Sequence, residues 1–102
     1  MRDMAVPEEI RTRLSRWCAT RVPDAEREQR QIAYTIHGDE ITIIERRPPA
    51  YPELGQAWSA TPMARLRRHR DGWLLDRPIG TGDWQRDADG SDPIELLDRA
   101  SA

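Results

Sequence analysis

The stretch Gln31-Ile32-Ala33-Tyr34-Thr35-Ile36-His37-Gly38-Asp39-Glu40-Ile41-Thr42-Ile43-Ile44-Glu45-Arg46 decides the fold. Ile32, Tyr34 and Ile36 alternate with Gln31, Ala33 and Thr35, which is the two-residue period of a strand with one face buried. His37-Gly38-Asp39 supplies a tight turn, and the β-branched run from Ile41 to Ile44 returns as a second strand reaching Arg46. The pair predicts a β-hairpin.

On the N-terminal side, residues 7–22 predict an amphipathic helix, with Pro7 in the first turn and Glu8 and Glu9 complementing the positive end of the helix dipole. Ile10, Leu14, Trp17, Cys18 and Val22 form its apolar stripe, Glu9 lies within ion-pair reach of Arg13, and Pro23 ends it.

On the C-terminal side, Pro48-Pro49-Ala50-Tyr51-Pro52 cannot sustain a ladder, so a long connection follows, with a helical turn near Glu53 to Ala57. Its Trp58 is expected in the core and its Tyr51 exposed. Pro62 to His69 predicts a third strand, with Ala64 and Leu66 on one side and Met63, Arg65, Arg67 and His69 on the other. Asp71-Gly72 signals a hairpin, and Trp73-Leu74-Leu75 is the returning fourth strand. Glycine and proline weaken any assignment from Pro78 to Asp83, Trp84 anchors a short fifth strand, and Asp87 to Asp92 reads as a solvated loop. Asp92-Pro93 is an N-cap with a first-turn proline, opening a helix through Arg99 with Ile94, Leu96 and Leu97 apolar. The expected architecture is therefore α+β. An N-terminal helix packs on a four- to five-stranded antiparallel sheet, with a short C-terminal helix at an edge or end.

At 102 residues, with 37% hydrophobic and 33% charged side chains, the chain can build one core, so residues 1–102 are taken as a single domain ordered over about 7–99. With four Trp and no Phe, tryptophan must fill much of that core. The net charge of −2 gives no overall attraction to nucleic acid or to an anionic membrane. Arg2 and Asp3 precede no apolar leader, no stretch approaches a membrane span, and Cys18 is alone, so a cytoplasmic protein without disulfides is expected.

Few residues point to chemistry. Arg46 and Arg47 end one strand while Arg65, Arg67 and Arg68 lie on a nearby one, and with Trp58 or Trp73 beside them they would suit a phosphate, a carboxylate or a nucleic acid. The same arginines would equally serve as internal ion pairs with Glu40, Glu45 and Asp71, Glu45 with Arg65 in particular. Residues 71–102 hold eight acidic groups against three Arg, which opposes a polyanion. The Asp87 to Asp92 run lacks the Gly and Glu register of a calcium loop, so no metal is expected. His37 and His69 have no spacing that implies a shared site, and Cys18 on the apolar stripe reads as a buried thiol. No phosphate-binding loop, dinucleotide fingerprint or nucleophile elbow occurs, and no cofactor is expected.

Arg16-Trp17-Cys18-Ala19, Arg21-Val22-Pro23, Thr42-Ile43, Glu45-Arg46-Arg47-Pro48-Pro49, Trp58, Pro62-Met63-Ala64-Arg65-Leu66-Arg67 and Trp73 together resemble a bacterial family of domains of unknown function, number 3024. The resemblance runs from about Arg16 to Arg99. It implies a small helix-plus-sheet domain and carries no activity. After Trp73 the sequence departs from the pattern, Leu74-Leu75-Asp76-Arg77 and Trp84-Gln85-Arg86-Asp87 standing where the family is richer in aromatics. The expected function is a non-catalytic binding or accessory module that engages another protein or its own second copy. An RNA- or DNA-binding module using Arg46, Arg47, Arg65, Arg67 and Arg68 is the alternative, and a small enzyme of unknown reaction is third.

Overall fold

The computed structural model describes residues 6–101, so the reading of Arg2 and Asp3 lies outside the described residues. Helix α1 (Glu8–Arg21) is followed by strands β1 (Gln31–His37), β2 (Glu40–Arg47), β3 (Ser59–His69), β4 (Gly72–Ile79) and β5 (Asp83–Gly90), and then by helix α2 (Pro93–Ser101). The strands form one sheet in the order β1-β2-β3-β4-β5, each antiparallel to its neighbours, so the fold is an α+β meander. None of the helices among the described residues is long and apolar enough to cross a membrane.

Both helices lie on the same face of the sheet, α1 over β1 and α2 over β4 and β5. The apolar stripe of α1 and Leu96 and Leu97 of α2 bury against Ile32, Ile41, Ile43, Ala64, Leu66, Trp73 and Leu75. Each fully buried aliphatic side chain stabilises the fold by ~1.5–3 kcal/mol, which is how a lean core suffices. Polar contacts fix the two helices to each other. Trp17 Nε1 donates to Asp98 Oδ1 at 2.7 Å, and Arg13 reaches Asp92 at 2.8 Å rather than pairing with Glu9. Asp92 is the better partner because it is already held as the cap of α2, accepting hydrogen bonds from the Ile94 and Glu95 amides.

Several boundaries differ from those read in the sequence. The turn between β3 and β4 is Arg70-Asp71, with Arg70 at φ 57°, and Gly72 opens β4 instead of turning the chain. Glycine is required there because a Cβ would stand 2.7 Å from the Gly90 carbonyl oxygen. Asp87 to Gly90 belongs to β5 and is not a loop; pairing of Leu75 with Ala88 and of Trp73 with Gly90 overrides its turn-like composition. A bulge between Leu75 and Asp76 leaves Asp87 as the extra residue on β5. A second bulge, between Ile43 and Ile44, leaves Met63 unmatched on β3. Met63 therefore does not share a face with Arg65, but lines a hollow with Trp17, Ile43 and Leu97 on the helix side. Pro62 is tolerated beside this bulge because β4 pairs with β3 only from Arg65 onward.

Candidate functional site

The helices leave one sheet face uncovered. Across it, cross-strand register places Thr42, Arg65, Asp76 and Arg86 in one row on β2 to β5, and Glu40, Arg67, Leu74 and Asp89 in the next. At the centre is Asp76, 1% exposed although it belongs to the face that no helix covers. Its carboxylate accepts from Arg65 Nε at 3.0 Å, from Arg67 Nε at 2.7 Å and from Arg67 Nη2 at 3.2 Å. Burial pushes the Asp76 carboxyl toward its neutral form, but the hydrogen bonds from Arg67 and Arg65 outweigh it and hold the pKa below the usual range.

Two arginine–tryptophan stacks flank this centre. The Arg65 guanidinium lies 4.6 Å from the centroid of Trp84, and Arg46, two positions along the same face of β2 from Ile44, lies 5.8 Å from that of Trp58. Trp58 is half-buried rather than in the core, as is Trp84, whereas Tyr51 is exposed. Arg46 and Arg86 have no carboxylate within ion-pair distance among the described residues, so the face retains guanidinium groups beyond the two that Asp76 holds.

The residues singled out in the sequence divide between the two faces. Arg46, Arg65 and Arg67, with Trp58, gather on the uncovered side. Arg47 instead bonds Glu45 at 3.2 Å, on the opposite side of β2, and Arg68 lies 5.3 Å over Trp73, its register partner on the helix side. Alternation separates these neighbours, since successive residues of a strand point to opposite faces. The ion pairs also differ from those expected. Glu45 takes Arg30 and Arg47, not Arg65, because Glu45 and Arg65 point to opposite faces. Arg65 and Arg67 take Asp76, which stands opposite Arg65, instead of Glu40 or Asp71.

Sequence reasoning missed Asp76, Trp84 and Arg86. The parity of β4 was the available signal: Leu74 and Asp76 share the side opposite Trp73 and Leu75, so a carboxylate had to face Arg65 and Arg67 once the register was set. Elsewhere, His37 and His69 close strands that are not adjacent in the sheet. Asp87 pairs with Arg77 at 3.1 Å, and no group of three or more His, Cys, Asp or Glu able to hold a metal ion gathers among the described residues. Cys18 is buried, and burial pushes its thiol up to about 11, against a smaller opposing effect of Arg21.

The architecture is that of a two-layer α+β domain with one bare sheet face. The chain matches the family model of Domain of unknown function (DUF3024) over residues 3–101, and it belongs to that family. No curated protein and no solved structure matches it.

Proposed function

We propose that this chain is a non-catalytic binding module that docks a protein partner on the uncovered sheet face. The observation that carries this reading is the pair of half-exposed tryptophans, Trp58 and Trp84, each stacked with an arginine on a face that no helix covers. The few residues that dominate binding energy at the centres of protein interfaces are enriched in tryptophan and arginine. The Asp76 hydrogen bonds hold Arg65 and Arg67 in place beforehand, which lowers the entropy lost on binding. The lone buried thiol of Cys18 suits a reducing compartment, and we take the module to be cytoplasmic.

RNA or DNA binding is the second reading, favoured by Arg46 and Arg86, which have no carboxylate partner among the described residues, beside stackable rings. Against it stand Glu40 and Asp89 on the same face and the Asp76 carboxylate, which offsets one of the two charges of Arg65 and Arg67. An enzyme of unknown reaction, the third expectation, has no specific observation in its favour.

The test compares wild type with Arg46→Ala/Trp84→Ala, and with Arg16→Ala on the far side of α1, as baits for quantitative capture, followed by titration of any captured polypeptide in purified form. A polypeptide that binds wild type and Arg16→Ala but is lost from the face variant is the expected result. Capture that is indifferent to the face variant overturns the reading. Anisotropy titrations with single- and double-stranded oligonucleotides at low and physiological salt complete it, and tight, steeply salt-dependent binding would install the second reading instead.

A further inference from the structure

The two edges of the sheet are built differently. β5 carries Asp83, Arg86, Asp87 and Asp89 and contains a bulge, all of which discourage another strand from adding to it. β1, Gln31-Ile32-Ala33-Tyr34-Thr35-Ile36-His37, has no Asp, Glu, Lys, Arg or Pro and pairs with β2 without a bulge. The β1–β2 connection is the two-residue loop Gly38-Asp39, with Gly38 at φ 66°, so its closing pair His37 and Glu40 exchange both backbone hydrogen bonds. Alternation then directs the N–H and C=O groups of Ile32, Tyr34 and Ile36 away from the sheet. No backbone or side-chain group among the described residues takes them.

Beside this edge runs a groove of about 390 Å³ between α1 and β1, with Cys18, Ala19 and Val22 of the helix side facing Ile32 and Tyr34 of the strand. An unprotected edge next to an apolar groove is the arrangement in which an added strand gains main-chain hydrogen bonds and a seat for alternate side chains. The symmetry of β1 identifies the strand that fits. In an antiparallel pair of two copies about a two-fold axis at Tyr34, Tyr34 meets Tyr34, Ile32 meets Ile36 and Ala33 meets Thr35. That register satisfies every outward N–H and C=O of Ile32, Tyr34 and Ile36, brings no charges together within the strands, and sets Ile36 of one copy beside Ile32 at the groove of the other. Continued beyond the strands, the same register sets Arg30 against Gly38 and Glu28 against Glu40, so the flanking segments are mixed in sign and the pairing rests on β1 itself.

We propose that two copies of this chain associate through β1, antiparallel about a two-fold axis at Tyr34, so that their sheets become continuous. The uncovered faces of the two copies then lie side by side. This inference does not depend on what those faces bind.

Sedimentation velocity over a micromolar dilution series tests it, using wild type, Ala33→Lys/Thr35→Lys and Ala33→Glu/Thr35→Glu. Both positions lie on the uncovered side of β1, away from the core, so circular dichroism should find each variant folded. Wild type is expected to dimerise, and each variant alone to associate about a hundredfold more weakly or less, since like charges then face each other. The two variants mixed in equal amounts are expected to regain a dimer, because the facing charges become opposite. Hydrogen exchange at the Ile32, Tyr34 and Ile36 amides should be slow in wild type and in the mixture, and fast in either variant alone. A monomeric wild type, a dimer that either variant leaves intact, or a mixture that stays monomeric would each overturn the proposal.

Discussion

The Asp76 carboxylate, with 2% of its side chain exposed, accepts hydrogen bonds from Arg65 and Arg67 and so orders the centre of the uncovered face. Removing one partner of a buried ion pair leaves the rest uncompensated, and Asp76→Ala is expected to cost about 3 kcal/mol, the low end of the usual range because Arg67 still reaches water. Urea unfolding at neutral pH measures this. The pH dependence follows from the same pair. The folded Asp76 pKa lies below its unfolded value, so its contribution is complete above about pH 4 and is lost as pH falls through the lower folded value. The gap between wild type and Asp76→Ala should therefore narrow below about pH 4. A gap that stays constant down to pH 2 would show that the two arginines do not depend on the carboxylate charge.

At the scale of elements, Asp92 joins the two helices. It accepts from the Ile94 amide at 2.9 Å as the cap of α2 and from Arg13 of α1 at 2.8 Å, and the Arg13 hydrogen bond holds its carboxyl below the usual range. Asp92→Ala is expected to cost about 1–2 kcal/mol, most of it from the cap, because a half-exposed ion pair adds little. In a chain of this size that corresponds to a fall in Tm of roughly 4–8 °C per kcal/mol in a thermal melt. Asp92→Asn, which preserves a capping oxygen, should recover most of it, and equal losses in both variants would assign the effect to Arg13 instead. The first hairpin was legible from its pattern because alternating apolar residues flank a turn, as at Ile32 to Ile43. The fifth strand was legible at Trp84 but its second half was not, because Asp87-Ala88-Asp89-Gly90 has the composition of a turn and becomes a strand only where β4 offers its backbone to it.

At the scale of the molecule, the tryptophans sample every layer. Trp17 and Trp73 lie in the core while Trp58 and Trp84 lie at the uncovered face, and a single buried cluster links both helices to the sheet. Denaturation followed by tryptophan fluorescence and by far-ultraviolet circular dichroism should give one coincident transition, and separated midpoints would show that the uncovered face loosens before the core. The sequence by itself determined the α+β class, the apolar stripe of α1, the first hairpin, the capped second helix and the family, because each rests on local periodicity, turn chemistry or motif within one segment. Only the tertiary structure decided that both helices share one face, that bulges set aside Met63 and Asp87, and that Asp76 rather than Glu45 holds Arg65. The facing of one strand's side chains against the next depends on register and on bulges, and these are fixed by hydrogen bonds between segments distant along the chain.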